Sequence, residues 1–174
     1  MAEVHINSDQ ITDLENTPVT KVNVNVAGGV LREATGHLTT NSDDSIGSTY
    51  RLCRVPSHAR VSQVIGMHDV GSATAGAGDI GLYDTAENGD AVVDADFFAS
   101  AWDFNAAGDT GFVDLTHEAA AGASYLVNES DQRIWEILGL DEDPGKDYDV
   151  AITLTEAVAT AACVVGVKVR YVTD

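Results

Sequence analysis

The sequence predicts an all-β protein, a jelly-roll-like two-sheet β-sandwich with one or two short helices. Three observations carry this. Apolar residues recur mostly with period two, the pattern of half-buried strands. About eight such runs follow one another at short spacing, with Gly- and Asn-containing turns between them. Helical periodicity is confined to two short stretches. No repeat of fixed period and no Pro- or Ser-rich linker divides the 174 residues. The expected organisation is a single sandwich domain over 17–174, preceded by a distinct segment, 1–16.

That first segment is polar and acidic, with scattered Val4, Ile6, Ile11 and Leu14. It reads as a frayed tail or as an arm that packs on a neighbouring subunit, and the tail is the plainer reading of the two. Val22, Val24 and Val26 then alternate with Lys21, Asn23 and Asn25 before Gly28-Gly29 turns the chain. Tyr50 to Val55 and Ala59 to Val70 read as strands joined at a Pro56-Ser57 corner. The small residues from Gly71 to Gly81 suggest a flexible surface loop. Asp79 to Asp84 follows as a short strand, and Glu87-Asn88-Gly89-Asp90 as a turn. A short helix is expected near Asp96, carrying Phe97, Phe98, Ala101 and Trp102. A second helix is expected from Asn128 to Leu140, capped by Asn128 or Ser130 and stopped at Gly139. The closing strands are the clearest: Val150, Ile152 and Leu154 share one face, then Cys163, Val165, Val167, Val169 and Tyr171 share another, with Lys168 and Arg170 pointing away.

Hydrophobic residues make up 44% of the chain, enough to bury a core, which excludes a disordered protein. Nine basic against 28 acidic residues give a net charge of −19. Nucleic acid and anionic membrane surfaces are therefore not expected partners, because binding them needs clustered Lys and Arg. From Val61 to Gln132 there is no Lys or Arg at all, against thirteen acids. This implies a strongly negative surface that serves solubility, or that steers a basic partner. Met1 to Asp9 has no basic leader or apolar run, so synthesis in a cytoplasm without export is expected. Ala157 to Val167 is too short for a membrane helix, which needs about 20 apolar residues. Cys53 and Cys163 sit in apolar strand patterns and are expected as buried thiols rather than a disulfide.

The chemical motifs dissolve on inspection. Gly76-Ala77-Gly78-Asp79-Ile80-Gly81 matches G-x-G-x-x-G, but a strand and a turn follow where a dinucleotide site needs a helix. His117-Glu118 lacks the second histidine of a zinc-protease helix, since position 121 is Ala. His5, His37, His58 and His68 show no ligand spacing, and neither cysteine has a zinc-binding partner. Asp141, Asp143, Asp147 and Asp149 surround Pro144-Gly145, yet Lys146 and Ile152 stand where an EF-hand needs Gly and Glu. A nonstandard loop calcium site is the remaining metal reading. Ser124 lacks the surroundings of a nucleophile elbow. Carboxylate pairs such as Asp94 and Asp96 are expected by chance in so acidic a chain. Trp102 and Trp135 lie in apolar runs and are better placed for a core than for stacking on sugars. Asn128-Glu129-Ser130 fits the glycosylation pattern, which means nothing without secretion. No catalytic residue, cofactor or metal site is assigned, and no enzymatic activity is expected.

Three stretches together resemble a known family. They are Ser48 to Ser57 (STYRLCRVPS); Asp79-Ile80-Gly81-Leu82-Tyr83 with Val92 to Ser100; and Arg133 to Val172, which holds Trp135-Glu136-Ile137-Leu138-Gly139-Leu140, Pro144-Gly145 and a Val-rich final strand. The chain is similar here to the head decoration, or cement, proteins of tailed bacteriophages, over roughly residues 30–172. The resemblance implies a jelly-roll-like sandwich docked on the outside of an icosahedral shell. It implies the major capsid protein as partner, a homo-oligomer with a trimer favoured, and a virion location. It also makes the N-terminal arm, with Val4, Ile6, Ile11 and Leu14, the expected contact element. The alternative is a carbohydrate- or receptor-binding sandwich of a phage fibre or spike, which predicts exposed aromatics in a groove.

Overall fold

A computed structural model describes residues 11–12, 15–18, 29–42, 44–69, 75–104, 111–118, 125–159 and 163–173. Eight strands follow in order: β1 (Val30–Thr39), β2 (Thr49–Pro56), β3 (Arg60–His68), β4 (Ala75–Asp84), β5 (Val92–Asp103), β6 (Phe112–Asp114), β7 (Asp147–Ala159) and β8 (Val164–Thr173). One turn of helix, α1 (Ile134–Ile137), preceded by a 3₁₀ turn (Val127–Glu129), lies between β6 and β7. The first sheet has the order β1-β8-β3-β6 and the second β2-β7-β4-β5. All the pairings are antiparallel.

The pairs β1·β8, β2·β7, β3·β6 and β4·β5 are those of one long hairpin, nested outside-in. Rolling that hairpin up adds β3·β8 and β4·β7 and produces two sheets. This is the jelly roll, as the strand periodicity predicts. The Pro56-Ser57 corner carries the chain from the second sheet to the first. Between the sheets lie Val61, Val64, Val165, Val167 and Val169 from one side and Ile80, Leu82, Val150, Ile152 and Leu154 from the other, all buried. Phe97, Phe98, Trp102, Phe104 and Tyr125 close this core as an aromatic group. Phe97 and Phe98 meet edge-on at 4.8 Å, and the Tyr125 hydroxyl donates to the Val61 carbonyl at 2.5 Å. Among the described residues, no helix is long and apolar enough to cross a membrane.

At one flank the edge strands β1 and β2 close on each other. Gly36 of β1 makes this possible, because a Cβ there would stand 1.8 Å from the Leu52 carbonyl oxygen of β2. Both cysteines are free thiols; Cys163 is buried, and burial pushes the Cys53 thiol up to about 12. Both side chains pack on the core, Cys163 within it and Cys53 against it.

Three expectations are corrected. The stretch Gly71–Gly81 is not a loop where it is described: Ala75–Gly81 is the first part of β4, between β5 and β7. Small residues are poor strand formers alone, but here neighbouring backbone comes close; a Cβ on Gly81 would stand 2.1 Å from the Asp94 carbonyl. The helix expected near Asp96 is instead part of β5. Register shifts against β4 break the alternation of β5, so Phe97, Phe98 and Ala99 are all buried and imitate a helical stripe. The helix expected over Asn128–Leu140 is broken into a 3₁₀ turn (Val127–Glu129) and α1. The caps are Leu126 and Arg133, whose N–H groups are held by the Glu129 and Glu136 carboxylates, rather than Asn128 or Ser130. Ile134 N and Trp135 N donate to the Ala59 and Ser57 carbonyls, so the corner between β2 and β3 sets where α1 begins. Gly139, at φ +69°, ends it as expected. The strand expected at Val22–Val26 lies outside the described residues, while β1 and β6 were not anticipated.

Replacing Gly36 with Ala is expected to lower the unfolding free energy by at least about 2 kcal/mol in urea titration, through overpacking against backbone. Gly47, at φ +87° with open space around it, should cost only about 1 kcal/mol on the same change. Equal losses at the two positions would contradict the close approach of β1 and β2.

Candidate functional site

The two outer faces of the sandwich differ in kind. On the second sheet, Arg54 Nε meets Asp149 at 2.7 Å and Arg51 meets the other Asp149 oxygen at 3.1 Å. Arg51 also reaches Asp90 at 2.7 Å and donates to the Asp84 carbonyl, and its guanidinium stands 5.2 Å from the centre of the Tyr83 ring. Lys146 pairs with Asp84, and the Tyr83 and Thr153 hydroxyls share a hydrogen bond. Asp149, the hub of this network, is only 9% exposed. Its charge is matched by two guanidiniums, as a carboxylate at that depth requires. Ala151, in register with Arg51 and with Gly81, is buried beside them. This face is occupied by its own chain.

The outer face of the first sheet is built as rows across β1, β8, β3 and β6. Arg170 lies opposite Glu33 and Gln63; Lys168 lies opposite Thr35 and Ile65, and Ile65 opposite Asp114. Glu33 is paired to both Lys168 (3.1 Å) and Arg170 (3.0 Å), which hold its carboxyl below the ordinary range. Arg170 continues to Gln63 Oε1, and Gln63 Nε2 to Asp114, each at 3.0 Å. Burial pushes the Asp114 carboxyl up, but hydrogen bonds from Thr116 and Gln63 outweigh it, and the pKa ends below its usual value.

The next row carries no charge pair, and the recess beside it has Lys168 and Asp69 at its border. Gly166 lies opposite His37 and Met67, and Met67 opposite Phe112. A Cβ on Gly166 would press on His37 and Met67 at 3.1 and 3.2 Å. With only hydrogen there, these residues border a recess of about 460 Å³, also lined by Phe112 and Val164. Phe112 is 67% exposed. A polar ladder beside an apolar recess with an exposed aromatic is the composition of a protein-docking surface.

A second recess, of about 370 Å³, lies where β1 and β2 meet, lined by Arg32, Arg54, His58 and Asp147. The opposite flank is acidic. There burial, a hydrogen bond with Asp94, and the charges of Asp94 and Asp79 raise the Asp96 pKa.

Of the residues expected to make contacts, Val4, Ile6 and Leu14 lie outside the described residues, and Ile11 is 44% exposed. The other motifs are drawn into structural roles. Asp143 accepts from the Ser57 hydroxyl and the Gly145 N–H, Asp149 serves the arginine network, and the His117 ring packs at a tilt against Tyr125. Among the described residues, no group of three or more His, Cys, Asp or Glu side chains could hold a metal. Trp102 is buried in the core, although on a strand rather than a helix, while Trp135 is half-buried. The recess with Phe112 was not read from the sequence. Its only signals are a glycine inside a valine-rich strand and a three-residue strand.

No protein-family model matches the chain, and no curated protein matches it in sequence. Solved structures do. A chain of the Ralstonia phage GP4 capsid is 16% identical, over 84% of this chain and 86% of that one, with a TM-score of 0.56. A chain of the cyanophage Pam1 capsid asymmetric unit is 17% identical, over 84% and 87%, with a TM-score of 0.54. The likeness is one of fold: this jelly roll is of the kind found in chains of phage capsids.

Because the folded-state pKa of Asp96 lies above its unfolded value, its ionisation weakens the native state as pH rises through that folded pKa. Asp96→Asn is therefore expected to raise the melting temperature at pH 7 and leave it little changed at pH 3. Asp114 has the opposite sign: its contribution is present above the unfolded pKa and is lost as pH falls through the lower folded value. Asp114→Asn should lower the melting temperature at pH 7 and flatten the acid side of the stability curve.

Proposed function

We propose that this protein is a structural component of a phage virion, a decoration or cement protein on the outer surface of the shell, bound to the major capsid protein. The observation that carries the reading is the jelly roll shared with two phage-capsid chains over most of both lengths. The resemblance of three sequence stretches to cement proteins narrows it to decoration. Charge supports an outer position, since a chain of net charge −19 is repelled by DNA packed inside a shell. Synthesis takes place in the host cytoplasm, and the role is structural rather than enzymatic.

In this reading the outer face of the first sheet meets the capsid. Phe112 and Met67 enter an apolar site while the Glu33–Arg170–Gln63 ladder fixes register. Subunits arranged as a homotrimer engage several such sites at once, and linking adjoining capsomers raises the barrier to rupture by avidity. The arm with Val4, Ile6, Ile11 and Leu14 adds contacts across a neighbour. The fibre-type alternative needs a groove of aromatics, and among the described residues Phe112 is the one strongly exposed aromatic side chain.

The test is co-sedimentation with shells of the parent phage that lack this protein. The wild-type chain should pellet stoichiometrically and raise the temperature at which shells rupture. Phe112→Asp should weaken binding at least about 30-fold, the scale of an interface hot spot, without lowering the melting temperature of the free protein. A wild-type chain that stays in the supernatant would reject the function, and full binding by the variant would reject this face.

A further inference from the structure

The jelly-roll order turns the uneven charge of the sequence into a two-sided molecule. The chain's ends, β1, β2, β7 and β8, form one flank, and its middle, β3 to β6, forms the other. Strands β3 to β6 hold six aspartates against one cation, Arg60, whereas β1, β2, β7 and β8 hold five of the nine basic residues against four acids. Most cations of this flank meet a carboxylate of their own chain, but Arg32 meets only a hydroxyl. Its Nε donates to the Thr173 hydroxyl at 2.9 Å, and among the described residues no carboxylate meets it. Arg32 shares its recess with Arg54, whose side chain is half-exposed beside its partner Asp149, and with His58 and one carboxylate, Asp147. Across the sandwich, Asp96 is half-buried on the edge strand β5, with Asp94 and Asp79 close enough to repel it.

We propose that the β1–β2 flank of one copy receives the β5 edge of a second copy, with Arg32 and Arg54 facing Asp96 in a head-to-tail contact that closes a ring. Charge complementarity is the reason to name a second copy. The chain supplies both signs itself: Arg32, exposed on one flank, meets no carboxylate among the described residues, and Asp96, on the other, has carboxylates for its charged neighbours. Net repulsion between acidic copies is screened beyond about 8–10 Å at physiological salt, so pairs at contact range decide the register. A head-to-tail contact closes when its rotation divides a full turn, and it leaves the outer face of the first sheet free. The inference extends the homo-oligomer part of the reading above and does not depend on docking to a shell.

The experiment is sedimentation velocity of the full 174-residue chain in about 0.15 M salt. The wild type should form one discrete oligomer. Arg32→Glu and Asp96→Lys should each weaken association at least about tenfold, because each sets like charges against one another at the contact. An equimolar mixture of the two variants should regain wild-type association within about threefold, since alternating copies again pair opposite signs. The recovery also requires both variants to be folded, and Arg32→Gln and Asp96→Asn, which remove one charge without reversing it and should also weaken association, replace whichever reversal fails. A monomeric wild type, an oligomer indifferent to the reversals, or a mixture without recovery would overturn the contact. The shell assay separates this from the proposed function: Phe112→Asp should lose shells and keep the oligomer, while Arg32→Glu should lose the oligomer first.

Discussion

The ten-residue antiparallel pairing of β1 with β8 joins segments more than 120 residues apart, and the remaining pairings lie nested inside it. Closing so long a loop costs conformational entropy before any contact repays it, and the cost grows only slowly with length. The repayment is concentrated where the pairing ends. Thr40, fully buried, donates its N–H and hydroxyl to the Cys163 carbonyl and accepts the Cys163 N–H on that hydroxyl, at 2.9, 3.2 and 3.0 Å. A few residues away, Gly36 lets β1 lie against the backbone of β2 and seals that flank. Once the ends are joined, β3 has only β8 to pair with on one side, and the sheet order follows.

Elements that keep strict alternation were legible in the sequence. β8 carries an unbroken valine series on its inner side, with Lys168 and Arg170 outward, and β2 runs to its corner at Pro56. Elements whose pattern is set by their neighbours were not. β4 is rich in Gly and Ala because other backbone approaches it, and β5 buries adjacent phenylalanines because its register shifts. α1 is one turn long because the Ser57 and Ala59 carbonyls fix where it begins. Half of the candidate docking face was legible in the same sense: its cations could be placed on the outer side of β8. The recess could not, since it depends on β6, which pairs with β3 through only three residues.

Topology also gives the acidic stretch its meaning. In sequence it is a long run without Lys or Arg; in the fold it becomes one side of a sandwich whose other side keeps most of the cations. One outer face is locked by its own arginine–aspartate network around Asp149. The other pairs a polar ladder with an apolar recess. The result is a molecule with one closed face, one face that pairs charge with an apolar recess, and a strongly acidic flank opposite one of nearly balanced charge.

The most direct measurement of this account is an electron cryo-microscopy reconstruction of shells after incubation with the protein. The account predicts extra density on the outside of the shell that fits this sandwich, with the β1-β8-β3-β6 sheet toward the capsid and Phe112 at the contact. Density on the inner surface, a molecule seated by its β2-β7-β4-β5 face, or a shell with no added density would contradict it.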